Sequence, residues 1–211
     1  MEQYSDKIKS VVELLLARGC KPLAFGRHKA VFVSGNLVYR VPKSFYAIQE
    51  LIYEGEFVKH SVKGKFSWIS RGGDKVYVLL PKSRLIHING VPVQLMEKLV
   101  PIASEDTRDV AKKHKWLPNL CLANDGEQAG FNRKKKLRCY DFANLKLVLE
   151  NRSKIIQKAE ARFSVYLDEF HGKMEVNGMP SDYFRDLGLR DSYGCPWKES
   201  LDKLKEHLAF T

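Results

Sequence analysis

Apolar residues recur at Ile8, Val11, Val12 and Leu15, three and four positions apart, so the chain opens on an amphipathic helix of about four turns. Ser5 is placed to cap that helix and Gly19 to end it. The period then changes. Residues 23–42 hold two β-rich runs, Ala30–Val33 and Leu37–Val41, joined by Ser34, Gly35 and Asn36. Glycine and asparagine accept the positive φ of a tight turn, so the two runs predict a hairpin. Helical spacing returns over Phe45–His60, where Ala47, Ile48, Leu51 and Ile52 share a face. Short strands are expected near 66–70, 75–80 and 91–97, punctuated by Gly64, Gly72 and Gly73, with a polar turn around His87–Gly90. The first hundred residues thus read as a helix, then about five strands with one helix inserted after the third.

The second half is helical in character. Residues 104–115 predict a helix with Ser104 as cap and Glu105 and Asp106 in its first turn, where the helix dipole favours anions; Pro118 ends it. Residues 152–170 carry the stripe Ile155, Ile156, Ala159, Phe163, Tyr166, Leu167 and Phe170, and Trp197, Leu201, Leu204 and Leu208 form a last one. Stripes of this width are core-facing. Internal repeats and low-complexity tracts are absent from the sequence.

At 211 residues and 44% hydrophobic content, the chain can bury a sizeable core, which excludes whole-chain disorder. No apolar run approaches the roughly 18 residues of a membrane span, and the first residues lack the layout of a secretory signal. A cytoplasmic protein is expected. Cys20, Cys121, Cys139 and Cys195 form no CxxC pair, and no Cys/His cluster has zinc spacing, so reduced structural thiols are expected. The net charge of +11 changes the picture more. It is clustered in part, in Lys112–Lys115 and in Arg133–Lys136, with Arg138 close behind. A basic surface suits nucleic acid, anionic lipid or an acidic protein. Neither cluster is interleaved with aromatics as a base-stacking platform would be.

Four segments carry candidate chemistry. Phe25-Gly26-Arg27-His28-Lys29-Ala30-Val31-Phe32 places one glycine at a turn, with a β-branched residue after it. Leu37-Val38-Tyr39-Arg40-Val41-Pro42 carries a basic residue within a β run, and the helix Phe45–His60 carries Glu54, with Glu50 one turn earlier. Val93-Gln94-Leu95-Met96-Glu97-Lys98-Leu99 is a strand running into a charged stretch. Leu117-Pro118-Asn119-Leu120-Cys121-Leu122-Ala123-Asn124 is followed by Leu137-Arg138-Cys139-Tyr140-Asp141-Phe142-Ala143. In this order the segments resemble the protein-kinase-like superfamily, in a minimal and atypical form covering roughly residues 23–145. The resemblance implies an α+β, bilobal protein-kinase-like fold. A helix over 1–22 would precede a β-rich N-lobe over 23–99 and a reduced helical C-lobe over 100–211, with Val100–Ser104 leading out of the hinge.

It also implies roles. Gly26 would cover nucleotide phosphates and Val31 would pack on adenine. Arg40, paired with Glu54, would grip the phosphates, and Met96, Glu97 and Lys98 would form the hinge. Asn124 and Asp141 would hold Mg²⁺, a carboxylate and an amide oxygen being hard-cation ligands. The spacing from Asn119 to Asn124 is the family's spacing from catalytic Asp to Asn. The chain departs from the pattern at Asn119, where the family has its catalytic aspartate, at Leu117 and Pro118, at Ala143 and at Arg40. An amide orients a hydroxyl but does not take its proton at useful pKa. Arginine keeps the charge of the family's lysine but not its point-like geometry.

Three functions follow as expectations. The first is an ATP- and Mg²⁺-binding phosphotransferase acting on a protein or small molecule, with Asn119, Arg40 and Glu54 as catalytic residues. The second is a catalytically inactive pseudokinase used as an interaction or inhibitor module. The third is nucleic-acid binding, ranked below the others. An acidic protein partner or substrate is expected near Arg133–Lys136.

Overall fold

The computed structural model describes residues 4–26, 28–70, 72–102, 106–116, 128–147, 149, 153–170 and 181–191. The chain begins with α1 (Tyr4–Ala17), whose stripe Ile8, Val11, Val12 and Leu15 is buried as its spacing requires. Strands β1 (Lys21–Phe25), β2 (Lys29–Ser34) and β3 (Leu37–Pro42) follow as an antiparallel meander. Helix α2 (Phe45–His60) has the predicted bounds, and Ser44 caps it by accepting from the Ala47 N–H. A separate hairpin, β4 (Lys65–Ile69) with β5 (Lys75–Leu79), precedes β6 (Ser83–Ile88) and β7 (Val91–Glu97).

β7 pairs with β3 on one side and β6 on the other, giving the order β11-β1-β2-β3-β7-β6. The outermost member, β11 (Arg190–Asp191), comes from the far end of the described chain and lies parallel to β1. A three-stranded sheet is formed by β8 (Leu99–Pro101), β9 (Ala129–Asn132) and β10 (Leu137–Cys139), in the order β10-β9-β8. Helices α3 (Thr107–Lys113), α4 (Lys154–Phe170) and α5 (Ser181–Asp186) complete the described elements, with a 3-10 turn at Ala143–Leu147. The architecture is mixed α+β with antiparallel sheets and a few helices.

Several elements differ from the sequence expectation. β6 was not expected, because Ser83, Arg84 and His87 break its apolar alternation. The turn is narrower than His87–Gly90: Asn89 and Gly90 alone carry positive φ, and His87 stays in the strand. Of the expected linker Val100–Ser104, Val100 and Pro101 are paired with β9 as part of the strand Leu99–Pro101. The helix expected over 104–115 runs from Thr107 to Lys113, and Asp106 at its start makes no side-chain cap bond. Ser104, Glu105 and the stripe at Trp197–Leu208 lie outside the described residues, as do Cys121 and Cys195. Cys20 and Cys139 are buried free thiols. No helix among the described residues is long and apolar enough to cross a membrane.

Register decides what each face of the main sheet presents. Residues directly opposite on paired strands share a face. Val31 faces Arg40, Arg40 faces Gln94, and Val38 faces Met96. Lys29, Val31, Val38, Arg40, Gln94 and Met96 therefore lie on one face, which α2 covers in part. Ala30, Phe32, Val41 and Val93 turn to the other face, where they are buried in one cluster with the stripe of α1. α4 packs on α2 and is tied to it by polar contacts: Tyr53 donates to Glu160 at 3.3 Å, and Arg162 donates to the buried Glu56. Contacts thus cross position 99 in both directions, through α4 on α2 and β11 on β1.

β9 passes β8 so closely that glycine is required at position 130. A Cβ there would lie 2.5 Å from the Val100 carbonyl oxygen, a backbone atom that cannot swing away. Gly130→Ala is expected to cost about 1–3 kcal/mol, the range for overpacking. Gly72→Ala, whose Cβ would meet nothing closer than 3.7 Å, is expected to cost less than 1 kcal/mol. Urea unfolding of both variants checks the contrast.

Candidate functional site

Four elements converge on the α2-covered face: β2 and β3 from the main sheet, α2 itself, and the segment after β10. Arg40 projects from β3 and is buried. Its Nη1 donates to Glu54 Oε2 at 2.5 Å and to Gln94 Oε1 at 2.6 Å, and its Nη2 lies 3.4 Å from Asp141 Oδ1. Arg40 is therefore not a solvent-facing strand arginine. Glu54, from the middle of α2, has no exposed surface. Its Oε1 accepts from Lys29 Nζ at 3.2 Å and from the Phe142 N–H at 3.4 Å. Glu54 therefore joins the sheet, α2 and the segment that follows β10.

Lys29 was not among the expected site residues. Its Nζ lies 2.9 Å from Glu50, 3.2 Å from Glu54 and 3.1 Å from Asp141. Glu50 and Glu54, one helical turn apart, both enter the cluster, with Glu50 on Lys29 and Glu54 on both cations. Period-2 alternation was the signal available for Lys29: it precedes Val31 by two residues and so shares its face. Gln94 was missed in the same way; it stands opposite Arg40 across the β3–β7 ladder.

Two cations and three carboxylates meet here, and their protonation follows from the balance of burial and charge. Burial opposes the charge on Lys29 and Arg40, but the facing carboxylates outweigh it, so both are raised and stay protonated. Burial also opposes ionisation of Asp141, but Lys29 and Arg40 hold its carboxyl well below the usual range. Glu54 goes the other way. Its complete burial, helped by the neighbouring Asp141, raises it against the pull of Arg40 and Lys29. Behind them the Cys139 thiol is pushed well up by burial and by Glu54 and Asp141, so it is an unreactive neutral group.

The other expected positions are placed as follows. Gly26 ends β1; its N–H donates to the Lys29 carbonyl at 2.8 Å and its own carbonyl accepts from Lys43 Nζ at 3.0 Å. Lys43 also lies over the Phe25 and Phe184 rings, so the turn is fixed at both ends. Val31 is half-buried beside Arg40, and Met96 is buried opposite Val38. Glu97 and Lys98 are tied into the fold: the Glu97 N–H donates to the Lys82 carbonyl and the Lys98 N–H to the Asn36 carbonyl. The Glu97 carboxylate accepts from the Lys82 N–H and from Asn132 Nδ2. Those two N–H groups are not open donors. Asn119 and Asn124 lie outside the described residues, and no group of three potential metal ligands occurs among the described ones.

A second buried carboxylate supports α2. Burial alone would raise Glu56, but hydrogen bonds from Arg162 and Lys59 lower it. A depressed acid adds stability above its unfolded pKa, about 4.3, which is lost as pH falls through the lower folded value. Wild type is therefore expected to lose more stability between about pH 5 and 3 than Glu56→Gln does, measured by urea unfolding at each pH.

Comparison with known proteins finds no matching family model, no matching curated protein and no matching solved structure.

Proposed function

We propose that the chain is an atypical kinase-like protein that binds ATP with Mg²⁺ on the α2-covered face and acts as a phosphotransferase on a protein or small molecule. One observation carries this reading: two buried cations, Lys29 and Arg40, converge on the part-exposed carboxylate of Asp141, beside an apolar strip on the same sheet face. Val31, Val38 and Met96 form the strip. The residues present fit the group. Asp141 is a hard-oxygen ligand whose side chain is 34% exposed, Lys29 and Arg40 neutralise phosphate charge, and half-buried Val31, backed by buried Val38 and Met96, offers apolar contact to a base. Bound Mg²⁺ and ATP would supply the transferable phosphoryl group. Lys29 and Arg40 would bind phosphate oxygens, Glu54 would fix the direction of Arg40, and Gly26 would bring backbone close to the phosphates. Asn124 would share the metal and Asn119 would orient the acceptor hydroxyl.

A thermal-shift titration with ATP·Mg²⁺, repeated on Asp141→Ala, tests the reading. A shift in wild type that is lost in the variant is expected. No wild-type shift, or an equal one in the variant, removes the metal-site assignment.

A second reading is a pseudokinase used as an interaction or inhibitor module. It is favoured by the closure of the cluster on itself, with Asp141 already facing both cations, and by the committed N–H groups of Glu97 and Lys98. Turnover of radiolabelled ATP separates the two. Sustained transfer that is abolished in Asn124→Ala supports the phosphotransferase, and binding without transfer supports the module.

A further inference from the structure

The two basic clusters, separate in sequence, are neighbours in the fold. Arg133, Lys134, Lys135 and Lys136 form the turn between β9 and β10, and all four are exposed. The turn is held in shape. Asn132 Oδ1 accepts from the Lys134 and Lys136 N–H groups, each at 3.0 Å, while Asn132 Nδ2 donates to Glu97 at 3.0 Å. Lys135 takes a φ of 55°, in the left-handed region. Leu99 stands opposite Asn132, so exposed Lys98 lies at the next position across from Arg133. The second cluster arrives through His114, at the end of α3, whose ring meets the edge of Phe131 two residues before Arg133. Exposed Lys112, Lys113 and Lys115 flank that contact. Lys112 is paired with Asp109. Among the described residues no ion pair involves Lys98, Lys113, Lys115 or Arg133–Lys136. His114 is lowered by burial and by Lys113, which agrees with a positive local field.

We propose that this face, the β9–β10 turn with the end of α3 and Lys98, is a binding surface for the phosphate backbone of a double-stranded nucleic acid. Four observations choose this partner. The cations cover an area, spread over a turn, a helix end and a strand end. A duplex presents charge over an area, whereas an extended acidic peptide presents a line. The tip is a two-stranded ribbon, which the groove of a duplex admits between its phosphate rails. Lysine outnumbers arginine seven to one among Lys98, Lys112, Lys113, Lys115 and Arg133–Lys136, giving point charges without forked base recognition. Among the described residues, none of the large exposed hydrophobic side chains is an aromatic on these elements, whereas single strands use exposed aromatics for stacking. The inference does not depend on the ATP reading; the two stand or fall separately.

The test is fluorescence anisotropy with a labelled duplex of about 20 base pairs, in DNA and RNA versions, over a salt series from about 50 to 200 mM. Both duplexes are expected to bind, with affinity falling steeply with salt. The triple variant Lys134→Ala/Lys135→Ala/Lys136→Ala is expected to reduce the salt slope by about 2–3 and to weaken binding tenfold or more. A control that removes the same charge elsewhere, Lys21→Ala/Lys75→Ala/Lys158→Ala, is expected to change the slope by less than about 1. All six lysines are exposed, and unchanged circular dichroism verifies folding. Tighter binding of RNA than DNA assigns the surface to A-form geometry, and the reverse to B-form. No binding at the lowest salt, equal loss in the two triple variants, or tighter binding of a poly-glutamate peptide than of either duplex overturns the proposal.

Discussion

Replacing Glu54 by alanine is expected to lower the stability of the fold by about 3–5 kcal/mol, the range for removing one partner of a buried ion pair. Glu54 is fully buried, and both of its carboxylate oxygens are engaged. Truncation removes the 2.5 Å partner of Arg40 Nη1, which keeps only Gln94 in hydrogen-bond range. It also leaves the Phe142 N–H without its acceptor and opens a void behind α2. Lys29 suffers less, because Glu50 and Asp141 remain within 3.1 Å. Glu54→Gln is expected to cost less than alanine. It keeps the volume and one acceptor oxygen, and the wild-type acid is itself shifted toward its neutral form by burial. The double variant Arg40→Met/Glu54→Leu is expected to recover much of the alanine loss, since apolar groups of similar size can replace a buried pair at little cost. Urea unfolding at neutral pH measures all three. A cost below about 1 kcal/mol for Glu54→Ala would show that the cluster is not a structural unit.

The opposed shifts of Glu54 and Asp141 give the cluster a definite pH behaviour. A raised acid favours the folded state in its protonated form, so the Glu54 contribution declines as pH climbs from its unfolded value toward the folded one. A depressed acid does the reverse. The Asp141 contribution is complete above the unfolded value of about 3.9 and is lost as pH falls below it. Asp141→Asn is therefore expected to flatten the acid limb of the stability curve, and Glu54→Gln the limb just above it.

What could be read from sequence was what short segments carry on their own. Arg40, Glu54 and Asp141 each sit in a local motif, and the structure brings the three together. α2 was legible because its apolar spacing and Ser44 cap are both local. Lys29 was not, because its place depends on pairing: only the β2–β3 register puts it on the face of Arg40. β6 was hidden by the polar residues on its face. β8 was hidden because three residues carry too little pattern to stand out from a linker. The pairing of β11 with β1 and the meeting of His114 with Phe131 are long-range contacts that no local pattern encodes. The same applies to the net charge, whose two clusters became one surface only through the three-stranded sheet.

Under the ATP reading, Lys29→Met is expected to weaken ATP·Mg²⁺ binding by about 10–100-fold, the worth of one hydrogen bond to a charged group. The argument turns on which cation is free to change partners. Arg40 Nη1 is held by Glu54 and Gln94 at hydrogen-bond distances, and its Nη2 faces Asp141 at 3.4 Å. Lys29 is a point charge on a flexible stem, shared among three carboxylates at 2.9–3.2 Å. Exchanging one of these for a phosphate oxygen costs Lys29 one contact of three, whereas Arg40, with Nη1 committed to Glu54 and Gln94, would meet a phosphate through the Nη2 that faces Asp141. Lys29→Met also leaves the fold largely intact, since Glu50 can turn to water and Glu54 keeps Arg40. Arg40→Met is expected to weaken binding as well, but mainly through lost stability. Calorimetric titration beside urea unfolding separates the two. Lys29→Met should lose affinity out of proportion to its stability, and Arg40→Met should lose stability first. If the two variants lose affinity and stability in the same ratio, Lys29 is a packing cation and the phosphate role passes back to Arg40.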